Sequence, residues 1–201
     1  MTNSEQDTLR VLTIGHSNHA WEHFIKLLQA NHVEVVAEVR SYPYSTYSPQ
    51  FDREPMKDAL AKCGVKYVDL GRELGGRPES AEFYDADGHV LYDKVAATER
   101  FAEGITRMEE GMKHYKVAML CSEEDPAVCH RALLVARVLR ERGADVRHIR
   151  GDGRIQADRE IYETIGAGEK QGTLFELNEA PPWKSIPSVL RKKRQSSSSP
   201  F

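Results

Sequence analysis

The chain has 201 residues, 40% hydrophobic and 29% charged, with a formal net charge of -3. This length is typical of one domain with appendages, and the slightly acidic charge excludes a protein that coats nucleic acid over its whole surface. Three cysteines, an odd count, exclude a secreted disulfide framework. Without a run of about 20 apolar residues or an apolar signal core near the start, we expect a cytoplasmic protein with no membrane partner.

Five short apolar runs predict five β-strands. These runs end at Gly15, Arg40, Leu70, Cys121 and Ile149. Apolar residues at helical spacing separate them, and the predicted helices cover residues 21–30, 52–64, 95–113, 126–142 and 155–165. Alternating strands and helices favour an α/β fold, with a mostly parallel sheet of about five strands and helices on both faces.

The composition divides the chain into three parts. Residues 1–9 are polar and predict a flexible N-terminus, and residues 10–165 carry the α/β pattern. Residues 166–201 contain several prolines, a basic run and four consecutive serines. Too few periodic apolar residues occur there to pack alone, so we predict a largely disordered C-terminal tail.

Polar residues follow the predicted strands at the points where the strands end. In open parallel sheets, ligands bind beyond the carboxyl ends of the strands, so we expect these residues to form one polar pocket. The proline- and tyrosine-rich segment 41–51 is predicted to cover the pocket as a flap. The candidate site residues are Gly15, His16, Ser17, Arg40, Ser41, Arg77, Cys121, Glu123, Cys129, His130 and Arg131.

The segment from Cys121 to Arg131 is the most informative one, since it joins a strand end to the first turns of a helix. Unpaired backbone N–H groups and the helix dipole favour an anion there, and Arg131 is a candidate bidentate partner for it. A cysteine at this point is expected to have a lowered pKa and to be nucleophilic. Cys63 differs, because it lies on an apolar helical stripe and is predicted to pack in the core.

Three chemistries fit this pocket. In the first, Cys121, Cys129 or Glu123 acts as nucleophile or base, and His16 carries the proton. In the second, the two cysteines and a histidine bind zinc, although seven residues between the cysteines is not a standard zinc-knuckle spacing. In the third, the pocket only binds an anionic ligand. The cofactor is therefore undetermined, with zinc the one metal considered.

A phosphatase loop is excluded, because a Cys-x5-Arg pattern needs a basic residue where Ala127 and Val135 stand. Arg40 and Arg131 are predicted to clamp a phosphate or a transition state.

Five motifs, in order along the chain, resemble the domain of unknown function 488 family. The resemblance covers roughly residues 10–155 and implies that the motifs form one site, without implying a reaction. The family usually carries Asp where this chain has Glu38, which preserves the carboxylate. The motifs lie at residues 13–17, 38–41, 48–51, 74–76 and 121–131.

Residues 171–175 resemble the peptide with which bacterial replication and repair proteins bind the sliding clamp. Gln171 matches the rim-bonding position, and Leu174 and Phe175 match the two apolar anchors. The alternative is that these side chains pack back on the domain as an ordinary strap.

These observations lead to two main hypotheses. The first is a bacterial enzyme that acts on DNA or a nucleotide and is recruited by the sliding clamp. The second is a non-catalytic binding module that senses an anionic small molecule or a redox state. A small-molecule transferase or hydrolase unrelated to DNA is a third interpretation.

Overall fold

All five predicted strands form in the computed structural model of the protein, which describes residues 8–169 and 183–186. The strands are β1 (Arg10–Gly15), β2 (Val35–Glu38), β3 (Lys66–Asp69), β4 (Val117–Cys121), β5 (Asp145–Ile149) and an additional β6 (Ile155–Ala157). The helices are α1 (Trp21–Ala30), α2 (Arg53–Lys62), α3 (Gly71–Leu74), α4 (Tyr92–Ala96), α5 (Glu99–His114), α6 (Arg137–Glu141) and α7 (Asp158–Glu169). The α/β class predicted from the sequence is confirmed.

The strands form one sheet in the order β3-β2-β4-β1-β5-β6. The first five are parallel, and β6 pairs antiparallel with β5 at the edge. β1 and β4 are neighbours, yet the chain leaves β1 toward β2 on one side and leaves β4 toward β5 on the other. Such a reversal opens a crevice at the carboxyl ends of the two strands.

Helices cover both faces of the sheet, as predicted. On one face, α1 and α2 bury Phe24, Leu28, Met56 and Leu60 against apolar strand residues. On the other, α5 and the segment leading into α6 bury a larger apolar cluster. With both faces covered, the central strands carry near-continuous apolar runs, as is typical of parallel sheets.

Four local predictions need correction. The helix predicted over 155–165 begins only at Asp158, because Ile155–Ala157 pair with β5 as strand β6. The helix predicted over 126–142 is a 3-10 turn (Pro126–Val128), a π-helical segment (Arg131–Ala136) and α6. The helix predicted over 95–113 is two helices, because Thr98 caps the second one by accepting a hydrogen bond from Phe101 N. Cys63 is exposed rather than packed in the core, since α2 ends at Lys62 and the chain turns there.

A short segment of the predicted tail lies against the domain. Trp183 donates its indole N–H to Leu133 O at 2.7 Å and its carbonyl accepts from Tyr92 N at 2.9 Å. Ser185 exchanges two hydrogen bonds with Val90. The clamp-like peptide, with Gln171, Leu174 and Phe175, lies outside the described residues. Among the helices that are described, none is both long and apolar enough to span a bilayer.

Candidate active site at the carboxyl ends of β1 and β4

The site begins where β1 and β4 end side by side. Gly15 is the register partner of Cys121, and a Cβ on Gly15 would lie 1.7 Å from Glu123 O. Glycine is required there because the backbone after β4 folds directly over it. His16 N and Ser17 N then donate to Cys121 O and Ser122 O at 3.0 and 2.8 Å. The two strand ends are therefore fastened together by backbone contacts.

Two cysteines and a histidine lie close together where the ends of β1 and β4 are joined. The ligand-capable atoms of Cys121, Cys129 and His130 all lie within 4.8 Å of one another. These side chains are at most 5% exposed. Cys121 Sγ donates to Glu123 Oε2 at 3.1 Å and lies 3.5 Å from His130 Nδ1. The structure thus brings together four residues of the predicted site: Cys121, Glu123, Cys129 and His130.

The imidazole of His130 has a fixed orientation. Its Nε2 donates to Val39 O at 2.8 Å, so Nδ1 is the nitrogen that faces the sulfur of Cys121. Gly76 lies flat against the ring, since a Cβ there would be 2.4 Å from His130 Cγ. Burial alone would lower the pKa of His130, but its hydrogen bond to Cys129 and the negative charges nearby raise it.

The two thiols differ in acidity. Burial opposes ionisation of both, yet the hydrogen bond from Cys121 and the charges of Arg131 and His130 hold the pKa of Cys129 well below its usual range. Burial, followed by the hydrogen bond to Cys129, raises the pKa of Cys121. The Arg131 backbone N–H, which donates to Cys129 Sγ at 3.4 Å, acts in the same direction on the pKa of Cys129.

Tyr92 belongs to this pocket and was missed by the sequence analysis. Its side chain is fully buried, and its hydroxyl finds no hydrogen-bond partner among the described residues. Burial, followed by the charges of Cys129 and Cys121, raises the pKa of Tyr92. Trp183 packs edge-on behind the ring. Tyr92 lies in no motif, so the sequence carried no signal for it.

A second cluster, beside the thiols, is built around Arg40. Its guanidinium donates to both carboxylate oxygens of Glu38, at 2.8 and 2.5 Å, and to Phe51 O at 2.8 Å. Its remaining nitrogen donates to His16 Nε2 at 2.9 Å. All three guanidinium nitrogens are engaged within the protein and the side chain is 5% exposed. The geometry gives Arg40 a positioning role, and its predicted role as an anion clamp remains without support.

His16 is held as a neutral imidazole. Its Nδ1 donates to Ser17 O at 2.7 Å, and its ring stacks on Phe51 at a centroid distance of 4.6 Å. Burial, assisted by the charge of Arg40, lowers the pKa of His16 to about 4. A proton-carrying role near neutral pH therefore finds no support in this geometry.

Arg131 is completely buried and holds the loop after β4 in place. It donates to Glu123 O, to Glu124 O at 2.7 Å and to Thr13 Oγ1 at 3.2 Å. Thr13 continues this chain of hydrogen bonds to His148 at 2.8 Å. Like Arg40, Arg131 bonds to groups of the protein itself, and its role as an anion clamp stays a prediction.

The mouth of the pocket is formed by polar residues that reach solvent. Glu123 is partly exposed, and it links the buried sulfurs to the surface. Arg77 and Ser41 are exposed, and Ser41 Oγ accepts from Arg77 N at 2.9 Å. Ser17 has a left-handed φ of 48°, and its carbonyl accepts from Ser48 Oγ at 3.5 Å. Burial raises the pKa of Glu123.

The flap over residues 41–51 carries three tyrosines on its outer surface. Tyr42, Tyr44 and Tyr47 are 73%, 45% and 95% exposed. Both ends of the flap are attached to the site, through Arg40 at its start and through Phe51 and Ser48 at its end. The exposed rings therefore lie on a segment whose two ends are attached to the site.

A separate cleft of about 720 Å³ lies at the opposite, amino-terminal ends of β1 and β4, with Arg10, Lys113 and Lys116 among its lining residues. Arg10 and Lys113 there are paired with Asp145 and Glu110. The cysteines and histidine lie at the other end of the sheet, so the chemistry is assigned to the carboxyl ends of the strands.

The fold and site define a class: an α/β protein with a buried cysteine–histidine pocket at the switch point of a parallel sheet. The family model described as Domain of unknown function DUF488 matches residues 20–138, more than half of the chain. The chain therefore belongs to this family, as its motifs predicted. The match includes Arg40 and the segment 121–131 but begins after residues 15–17. Searches of curated proteins and of solved structures give no significant match.

Proposed function

We propose that this protein is an enzyme that acts on single-stranded nucleic acid or on a nucleotide, with its reacting centre in the cysteine–histidine pocket. The observation that carries the proposal is the position of Tyr42, Tyr44 and Tyr47, three exposed rings on a flap attached to the mouth of that pocket. Every nucleobase has a π-face, and exposed aromatic rings bind unpaired bases by stacking.

The surroundings of the flap fit such a ligand. Arg77 is exposed at the mouth, and Arg53 lies over the Tyr44 ring at 6.0 Å. Guanidinium groups beside aromatic rings support both base stacking and phosphate contacts. Arg53 also forms an ion pair with Asp69 at 2.9 Å, so Arg77 is the candidate phosphate contact.

The pocket supplies groups for chemistry once a base or sugar is bound at the flap. Glu123 reaches solvent and Cys121 and Cys129 lie behind it. The charges of all three act on Tyr92, whose hydroxyl has no partner among the described residues. We assign catalysis to Glu123 and the cysteines, with His130 orienting them, and positioning to His16, Arg40 and Arg131.

Recruitment to DNA by the sliding clamp is part of this proposal. It depends on Gln171, Leu174 and Phe175, whose pattern resembles clamp-binding peptides. A titration of the protein against the bacterial sliding clamp tests it, with a Leu174→Ala/Phe175→Ala variant as control. Micromolar binding that disappears in the variant supports recruitment, and equal binding by both proteins refutes it.

Nucleic-acid binding is tested by fluorescence anisotropy with a labelled single-stranded oligothymidine. Stacking contributes about 1–3 kcal/mol per base, so Tyr42→Ala or Tyr47→Ala should each weaken binding at least about 5-fold. Tyr162→Ala is the matched control, because Tyr162 is 52% exposed on α7, away from the flap. Equal loss in all three variants, or no binding by the native protein, would refute the proposal.

A redox sensor is the second candidate, and the two buried sulfurs within 4.8 Å favour it. A peroxide would oxidise Cys121 and Cys129 to a disulfide, with loss of both thiol protons and reduction of the peroxide to water. Peptide mass spectrometry after peroxide treatment would detect the 121–129 pair. Oxidation confined to the exposed Cys63 would remove this candidate.

A further inference from the structure

We infer that Cys121, Cys129 and His130 form a zinc site, with Glu123 next to its fourth coordination position. Thiolate, imidazole and carboxylate groups are the ligands that Zn²⁺ takes in proteins. Here they come from a strand end and a helix start, and their ligand atoms converge within 4.8 Å. This inference supplies a cofactor for the pocket and does not depend on nucleic-acid binding.

The distance between the ligand atoms of Cys121 and His130 agrees with tetrahedral coordination. Zinc–sulfur and zinc–nitrogen bonds of about 2.3 and 2.0–2.1 Å place the two ligand atoms about 3.6 Å apart in a tetrahedron. The measured distance from Cys121 Sγ to His130 Nδ1 is 3.5 Å. An ion therefore fits between this sulfur and nitrogen with little movement of either residue.

The second coordination sphere is also in place. Zinc-bound histidines usually donate their other ring N–H to a carbonyl or carboxylate, and His130 Nε2 donates to Val39 O at 2.8 Å. That bond leaves Nδ1 as the metal-facing nitrogen. The Arg131 backbone N–H donates to Cys129 Sγ at 3.4 Å, which stabilises a thiolate ligand.

The fourth position lies toward the mouth of the pocket. Glu123 Oε2 is 3.1 Å from Cys121 Sγ, and its side chain is partly exposed. Catalytic zinc sites use three protein ligands and keep the fourth position for water or substrate. The buried hydroxyl of Tyr92, which has no partner among the described residues, would be a candidate hydrogen-bond donor to an oxygen ligand at that position.

The spacing of the cysteines does not contradict the site. Zinc knuckles need close cysteine pairs because one tight turn carries both ligands. In this fold the strand β4, the 3-10 turn at Pro126–Val128 and the helix start bring distant positions together. Tertiary structure, and not a local turn, sets the ligand geometry.

The test measures zinc binding on the full-length protein after reduction and chelator treatment. A competition titration with a chromophoric zinc chelator should give one tightly bound Zn²⁺ per chain. Substitution with Co²⁺ should produce thiolate-to-metal charge-transfer absorption and the intense visible bands of tetrahedral cobalt. Absence of both signals in the folded, reduced native protein would overturn the inference.

Variants assign the ligands. Cys121→Ser, Cys129→Ser and His130→Asn should each weaken zinc affinity by more than the roughly 10–100-fold that loss of an outer-sphere partner costs. Cys63→Ser is the matched control, because Cys63 is exposed and distant in sequence from the motif. Native-like affinity in both pocket cysteine variants would overturn the assignment.

Folding of the variants is checked by circular dichroism, and Glu123→Gln provides a milder change that leaves the three buried ligands intact. We expect it to keep zinc bound and to alter the Co²⁺ spectrum. An unchanged spectrum would remove Glu123 from the fourth position. Oligothymidine binding is measured separately on metal-free protein, so failure of the proposed function and failure of the zinc site give different results.

Discussion

Nη1 of Arg40 donates a hydrogen bond to Nε2 of His16 at 2.9 Å, in a cluster that is almost fully buried. A histidine that accepts from arginine at one nitrogen and donates to Ser17 O from the other cannot take a second proton without breaking the first bond. The contact therefore keeps the His16 imidazole neutral where it packs between the end of β1 and Phe51 of the flap.

The stability of the domain should consequently fall in mild acid. The pKa of His16 is lowered to about 4, so the unfolded chain binds a proton below about pH 6.5 while the folded chain does not. The contribution of His16 to the free energy of unfolding is fully present above about pH 6.5 and is lost as the pH falls toward about 4. Between pH 7 and pH 5 the loss is about 2 kcal/mol.

Urea denaturation at the two pH values measures this loss. His16→Asn should lower stability at pH 7 but reduce its decrease between pH 7 and pH 5. If the native protein and the variant lose stability equally over that range, His16 is not the titrating group.

Truncation of Arg131 should be severely destabilising. Arg131→Ala leaves the carbonyl oxygens of Glu123 and Glu124 without their buried donor, and each unsatisfied buried group costs about 1–3 kcal/mol. We expect a loss of at least about 3 kcal/mol by chemical denaturation. Arg154→Ala is the control, because Arg154 is on the surface with a side chain 77% exposed, and it should change stability by under about 0.5 kcal/mol.

Removal of the Tyr92 hydroxyl should impair the chemistry of the pocket without lowering the stability of the fold. Among the described residues that hydroxyl has no partner, so Tyr92→Phe should leave the melting temperature unchanged or raise it. The same variant should impair turnover or change the Co²⁺ spectrum if the hydroxyl serves the pocket. A clear drop in melting temperature would show that the hydroxyl is satisfied in the folded protein.

A methyl group on Gly76 should displace the His130 ring. The added Cβ would lie 2.4 Å from His130 Cγ, and overpacking of this kind costs about 1–3 kcal/mol. Gly76→Ala should therefore lower both stability and zinc affinity. Gly111→Ala in α5 is the matched control: its nearest neighbour is 3.7 Å away, and alanine should stabilise the helix by about 0.5–1 kcal/mol. Equal effects of the two changes would contradict the packing argument.

Removal of the Trp183 side chain should destabilise the structure around Tyr92, against which its indole packs. The indole donates to Leu133 O, and Arg137 lies over its ring at 4.3 Å. Trp183→Ala should destabilise the domain by about 1–3 kcal/mol. Hydrogen exchange should then increase around Tyr92 while β1 stays protected. Unchanged exchange in α4 would show that the anchor does not support the pocket.

The sequence alone determined the sheet and the convergence of its polar ends. The apolar runs ending at Gly15, Arg40 and Cys121 are local signals, and parallel strands necessarily place their carboxyl ends on one edge. The edge strand β6 was missed, because three residues are too few to show a strand period. The division of the helix over 126–142 into three segments was missed as well, because its apolar positions fit one continuous helix.

Only the tertiary structure decided which of the predicted site residues are hydrogen-bonded within the protein itself. Arg40 and Arg131 looked like anion clamps from their motifs, yet Glu38 and loop carbonyls occupy their nitrogens. Tyr92 enters the pocket from a helix without a motif, and Cys63 is exposed where its stripe predicted burial. Periodicity reports which face of an element is apolar, but hydrogen-bond partners distant in the chain are chosen by how the elements pack.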